Sequence, residues 1–205
     1  MASLLARKKL ARLAQRLNAH CGWSLPALIF VTDDSRVANP FAVAQTLPRG
    51  SAILLRYRDN KQRAVLGEAL AKLARQRDLV LLIAGDPALA MRLDADGVHF
   101  SEAQLDKIAP IRTRHSNWII TAAAHSERAL LYAKRSGADA SLLAPLFLTK
   151  SHPQQSAFGL ARFRLAAARA PLPVYALGGI TASNVERLSN ACLAGIAAVE
   201  GVLPD

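Results

Sequence analysis

A chain of 205 residues, 52% of them apolar, has room for one domain, or at most two small ones, around a substantial core. With 20% charged residues it reads neither as a disordered tail nor as a coiled coil, and no apolar run reaches the roughly 18–20 residues of a bilayer span. The 26 Lys and Arg against 15 Asp and Glu give a charge of +11, which favours phosphorylated or polyanionic partners without choosing among nucleic acid, an anionic membrane and a small phosphate ester.

Residues 3–18 read as a helix, with Leu10, Leu13 and Leu17 at helical spacing and Arg7, Lys8, Lys9, Arg12 and Arg16 on the other faces. Charges interrupt the apolar core that a secretory signal needs. A helix lying on anionic lipid is one reading of this segment, and a leading helix packed on the domain through its leucine stripe is the bland one. His20, just after it, carries no expected chemistry. Cys21 and Cys192 are the only cysteines, too few for a disulfide framework or a thiolate zinc site, and they fit a reduced, cytoplasmic compartment.

From residue 27 short apolar runs alternate with helical stretches. A strand is predicted at 27–32, a proline-led helix at 40–47, a strand at 52–57 and a long helix at 61–76 with Val65, Leu66, Leu70 and Leu73 on one side. A strand at 79–83 and a proline-led helix at 87–93 precede strands at 97–99 and 118–123. A helix at 126–135 ends at Gly137 and leads to a strand at 140–143. After a long loop, 144–159, come a helix at 163–170, a strand at 174–176, a helix at 184–191 and a strand at 195–199. The runs are continuous and rich in Leu, Val and Ile, as parallel strands buried on both faces should be. Eight such strands without a break in composition predict one compact (β/α)₈ TIM barrel over residues 1–205, with residues 1–22 as its basic leading helix. The rival, a doubly wound open sheet, calls for a glycine-rich turn after the first strand, where the chain has Thr32-Asp33-Asp34-Ser35-Arg36.

In such a barrel the chemistry sits at the carboxyl ends of the strands. Gly178 and Gly179 after the seventh strand, with Gly201 after the eighth, read as a phosphate cradle, because adjacent glycines let backbone N–H groups approach an anion; an ordinary tight turn is the alternative. His99 and His125 end the fourth and fifth strands and suit proton transfer, or simply bond a neighbouring loop. No helical His-Glu pair or cysteine cluster accompanies them, so no zinc site is expected. The 144–159 loop carries Thr149, Lys150, Ser151 and His152, all able to meet an anion, and could fold over a ligand. Arg56 and Arg58 alternate at a strand end and are expected to point the same way, as a cationic wall.

VTDD after the first strand, ILLRYR on the second, LDADGVHFSE on the fourth, TAAAHS on the fifth, ADASLLAPLFLTKSHP on the sixth, and ALGGITASNVERL followed by GIAAVEGV together resemble the thiamin phosphate synthase and thiazole tautomerase (TenI) superfamily, from about residue 27 to 203. The resemblance implies a (β/α)₈ barrel. It implies a thiazole phosphate held by Gly178, Gly179, Val199, Glu200 and Gly201, with Thr149 and Ser151 also meeting phosphates. The synthases of the family join a pyrimidine diphosphate to a thiazole phosphate, release pyrophosphate and need Mg²⁺. Arg56 matches their second-strand arginine and Arg58 keeps only a charge, whereas Leu54 stands for a glutamine. The two Mg²⁺ carboxylates are replaced by Gly85 and Gln104, a lysine by His152 and a serine by Ala123. Asp86, Asp33 and Asp34 lie close enough in sequence for a shifted Mg²⁺ site to be considered. In the tautomerase branch the histidine at the position of His125 carries the proton.

The leading expectation is therefore a thiamin-pathway barrel binding a thiazole phosphate and working by proton transfer at His125, or diverged to a related ester. Arg56, Arg58 and His152 would contact the substrate. The alternatives are a thiamin phosphate synthase and a noncatalytic phosphate- or nucleic-acid-binding barrel. Against nucleic acid, aromatics make up only 5% of the chain. A homo-oligomer stays open.

Overall fold

The computed structural model describes residues 4–148, 157–189 and 191–202. Eight parallel strands close into a ring in chain order, with β8 (Gly195–Ala198) paired back on β1 (Leu28–Val31). Between them lie β2 (Ala52–Leu55), β3 (Val80–Ala84), β4 (Gly97–Phe100), β5 (Ile119–Ala124), β6 (Ala140–Leu143) and β7 (Val174–Leu177). Strand alternation sorts the side chains. Ile29, Val31, Ala52, Leu54, Leu82, Ala140, Leu142, Tyr175 and Ala197 belong to the inner core, and Leu28, Phe30, Ile53, Leu55, Leu81 and Ile83 to the outer one shared with the helices. Three alanines leave room inside for Tyr175, whose hydroxyl donates to Pro26 O at 2.7 Å.

The outer layer is α1 (Leu4–Cys21), α2 (Pro40–Ala44), α3 (Asn60–Arg77), α4 (Pro87–Arg92), α5 (Ile108–Arg114), α6 (Glu127–Ser136) and α7 (Leu160–Arg169). Asn39, Asp59, Asp86 and Ser126 each cap the helix that follows through a side-chain oxygen. α5 and the 3₁₀ turn before it (Glu102–Lys107) have no counterpart in the predicted elements. Pro110 blurs the periodicity there, yet as the third residue of α5 it removes no N–H that the helix uses. Conversely, the helix expected at 184–191 is only a 3₁₀ turn, Val185–Leu188. Asn184 is spent on the preceding loop, accepting from Thr181 N at 2.9 Å and donating to Gly179 O at 2.8 Å.

β8 is followed only by a 3₁₀ turn (Glu200–Val202), and α1 packs beside β8 and β1. Leu10, Leu13, Ala14 and Leu17 are buried there, and Asn18 Nδ2 donates to Leu25 O and Ala194 O. The leucine stripe is thus packed against the outside of the strands, which takes away the apolar face that a lipid-bound helix would need. No helix among the described residues is long and apolar enough to cross a membrane. The same packing corrects the expectation of reduced cysteines. Cys21 at the end of α1 and Cys192 before β8 are 171 residues apart in sequence, but their Cα atoms lie 5.7 Å apart and the two form a disulfide.

Candidate active site

The carboxyl ends of the strands surround a cleft of about 1670 Å³. Arg56, His99, His125, Gly178, Gly179, Val199, Glu200 and Gly201 all line it, so residues scattered over the sequence meet at one mouth. Thr149, Ser151 and His152 lie outside the described residues. Arg58 does not join Arg56. β2 ends at Leu55, so strand alternation no longer governs these positions, and Arg58 is exposed and absent from the lining. Its backbone N–H donates to Asp34 Oδ2 at 3.2 Å.

Asp33, just past β1, is a nearly buried hub. Its Oδ1 accepts from Ser35 N at 3.1 Å and Ser35 Oγ at 2.6 Å, and its Oδ2 from Arg36 Nη2 at 2.8 Å and Arg56 Nη2 at 3.0 Å. Burial alone would raise the Asp33 pKa; hydrogen bonds from Arg36 and Ser35 outweigh it and hold the carboxyl well below the usual range. The Arg56 backbone is fixed too, because its N–H donates to Thr32 Oγ1 at 2.9 Å. One strand further on, Asp86 caps α4 through Oδ1 and accepts Arg63 Nη2 on Oδ2 at 2.8 Å. Arg36 and Arg63 line the cleft, whereas their partners Asp33 and Asp86 are not among its lining residues.

These pairings decide how the site suits the Mg²⁺ that the family resemblance implies. A Mg²⁺ site needs oxygen ligands in near-octahedral geometry, usually including one or two carboxylates. Both oxygens of Asp33 and of Asp86 are already engaged, and Gly85 offers no side chain. Gln104 Oε1 accepts from Ser101 N at 3.2 Å and Ser101 Oγ at 2.9 Å in a capping box. Among the described residues no group of three or more His, Cys, Asp or Glu is placed to hold a metal ion. As they are paired here, Asp33, Asp86, Gly85 and Gln104 do not fit the ion, and Asp34, whose Oδ2 accepts from Arg58 N, is left as a single carboxylate.

The two histidines differ in kind. His99 is buried on the cleft floor with Nδ1 2.9 Å from Thr121 Oγ1. Burial, helped by the Arg56 charge, pushes its pKa down from 6.5 to about 4, so it is neutral near pH 7. The linked stability is present above pH 6.5. It is lost as pH falls from 6.5 towards about 4, where the unfolded chain binds a proton that the folded chain refuses. Chemical-denaturation curves are expected to show about 3 kcal/mol lost over that window, on the basis of 1.36 kcal/mol per pKa unit. His99→Asn should remove that slope, and an equal slope in the variant would show that His99 is not its source.

His125, by contrast, is half-exposed at the mouth. Its Nδ1 lies 2.8 Å from Glu102 Oε2, and the same oxygen accepts the His125 backbone N–H at 2.9 Å. A carboxylate only accepts, so neutral His125 carries its proton on Nδ1 and keeps Nε2 as the basic nitrogen. Glu102 was visible in the sequence only as a residue after the fourth strand. Its pairing depends on β4 and β5 being neighbours.

The opposite rim is glycine-rich for a packing reason as well as a chemical one. Gly178 and Gly179 have φ of 102° and 64°, and a Cβ on Gly179 would stand 2.8 Å from Leu148 O and from Phe147 Cβ. Leu146 N donates to Leu177 O and Phe147 N to Gly178 O, so the loop after β6 is laid directly on this turn. Thr181 and Ser183, joined hydroxyl to hydroxyl at 2.8 Å, stand beside it. The rim thus gathers glycine backbone and two hydroxyls about 199–201.

Among solved structures, the thiamine phosphate pyrophosphorylase of Pyrococcus furiosus has the same fold, with a TM-score of 0.73 over 93% of this chain and 92% of that one at 24% identity. Among sequences, the thiamine-phosphate synthase of Chloroflexus aurantiacus is 31% identical over 183 residues, covering 86% of this chain and 84% of that protein. That of Chlorobium luteolum is 31% identical over 182 residues, covering 86% and 85%. With the thiamine monophosphate synthase model matching residues 7–202, the chain belongs to that family, the TMP-TENI family.

Proposed function

We propose that this barrel binds a thiazole phosphate, with the phosphate on the rim of Gly178, Gly179 and 199–201, and moves a proton on the thiazole ring through His125. The observation that carries this reading is the Glu102–His125 pair, which presents a basic imidazole nitrogen at the mouth of the cleft that holds the glycine rim. In this reading Arg56, which lines the cleft, meets a carboxylate on the ring, and Thr149, Ser151 and His152 are assigned to anion contacts. Isomerisation needs no leaving group, so it tolerates the missing Mg²⁺ donors.

The names of the relatives favour a second reading, in which a pyrimidine diphosphate condenses with the thiazole phosphate and pyrophosphate leaves. Purified protein assayed in parallel separates the two. Thiazole carboxylate phosphate is expected to isomerise, and the pyrimidine diphosphate with thiazole phosphate and Mg²⁺ to release no pyrophosphate above background. Pyrophosphate release without isomerisation would establish the synthase reading and overturn the first.

A further inference from the structure

We propose that Arg36, Arg56 and Arg63 form a metal-independent oxyanion subsite at the β1–β3 end of the cleft, which takes a phosphate or carboxylate group of the ligand in place of a Mg²⁺-bridged one. Only Arg56 belongs to the motifs that carry the family resemblance. Arg36 comes from the loop after β1 and Arg63 from the first turn of α3. Arg36 and Arg56 converge on one oxygen, Asp33 Oδ2, from separate segments, which fixes two guanidinium groups side by side. Arg63 is steered in the same way by Asp86 Oδ2, and its Nη1 reaches Ala84 O at 3.4 Å at the end of β3. The carboxylates therefore act as struts for three arginines that line the cavity.

Two carboxylates face three guanidinium groups, so the cluster keeps a net positive charge, and a guanidinium edge is the donor that an oxyanion fits best. Mg²⁺ would meet the reverse. To reach Asp33 or Asp86 it would have to displace a guanidinium group that already neutralises the carboxylate, and it would bring two positive charges beside three arginines. The same positions that fail as a cation site therefore serve as an anion site. Together with the glycine rim after β7 and β8, the subsite suits a small ligand bearing two oxyanion groups; this last step rests on the function proposed above, whereas the subsite itself does not.

The test is calorimetric binding of inorganic pyrophosphate and, separately, malonate to the full chain, once with MgCl₂ and once with EDTA, together with a titration of Mn²⁺ alone. At least one anion is expected to bind with a Kd that changes less than about threefold between the two buffers, and Mn²⁺ to show no saturable site. Tighter binding of pyrophosphate marks the subsite as a phosphate one, and tighter binding of malonate as a carboxylate one. Arg63→Gln and Arg36→Gln should each weaken the preferred anion by about 10- to 100-fold, as loss of a charge-assisted hydrogen bond predicts. Circular-dichroism melts check folding, and Arg36→Gln, in a loop, carries the test if Arg63→Gln does not fold. Binding that is tenfold or more tighter in Mg²⁺, a saturable Mn²⁺ site, or wild-type affinity in both variants would overturn the subsite. Thiazole phosphate failing to bind wild type, with pyrophosphate binding intact, would count against the proposed function and leave the subsite standing.

Discussion

The His125→Ala variant is expected to isomerise thiazole carboxylate phosphate about 10²- to 10⁴-fold more slowly than wild type, the usual contribution of one positioned acid/base. Its affinity for the same compound should stay within about threefold, because the anion contacts lie on other strands. The arrangement makes this split sharp. Glu102 takes both the ring Nδ1 and the backbone N–H of His125 on one oxygen, so the ring is fixed in position and in tautomer. Glu102→Gln keeps a hydrogen-bonding group of the same shape, yet an amide offers a donor as well as an acceptor and no longer imposes the Nδ1–H tautomer. A smaller fall, about 10-fold, is expected there, in line with the loss of an orienting partner. Kinetics under saturating substrate and equilibrium binding, measured on the same preparations, separate these effects. An unchanged turnover in His125→Ala would move the proton carrier elsewhere in the cleft.

The barrel was legible from sequence because its strands announce themselves. Residues such as 52–55 and 140–143 are buried on both faces, so they carry no polar alternation, and the caps and glycines between them mark the helices. The lining of the cleft was legible only where one residue type at a strand end is informative by itself, as for His125, Arg56 and the Gly178-Gly179 turn. What escaped is what depends on pairs. Arg36 and Arg63 sit in a loop and in a helical first turn, where a solvent-facing arginine is the ordinary reading. Nothing local says that Asp33 and Asp86 turn them inward. Glu102 meets His125 across 23 residues, and Cys21 meets Cys192 across 171. Arg58 failed for the opposite reason. A strand period was extended past Leu55, where the chain had already left the sheet.

The closing of the ring itself predicts the largest loss of stability. Gly97 and Gly195 open β4 and β8, and in each case a Cβ would lie 1.9 Å from a neighbouring backbone oxygen, that of Ile119 and that of Ala27. Gly195 also has φ of 151°, outside the range that other residues adopt readily. Contact with backbone, held in the ladder by Ile119 N to Asp96 O at 2.9 Å and Ile196 N to Ala27 O at 3.0 Å, leaves no flexible side chain to give way. Alanine at either position must therefore force adjacent strands of a closed barrel away from each other. About 4 kcal/mol or more is expected from Gly195→Ala, a large fraction of the roughly 5–15 kcal/mol by which domains of this kind are stable. Gly50 provides the control, since its φ is 72° but nothing lies within 4 Å of its absent Cβ. Gly50→Ala should cost only the left-handed backbone term, about 1–2 kcal/mol. Urea unfolding of the three variants measures the difference, and a Gly195→Ala loss no larger than that of Gly50→Ala would mean that the β8–β1 seam is not closed as tightly as the geometry requires.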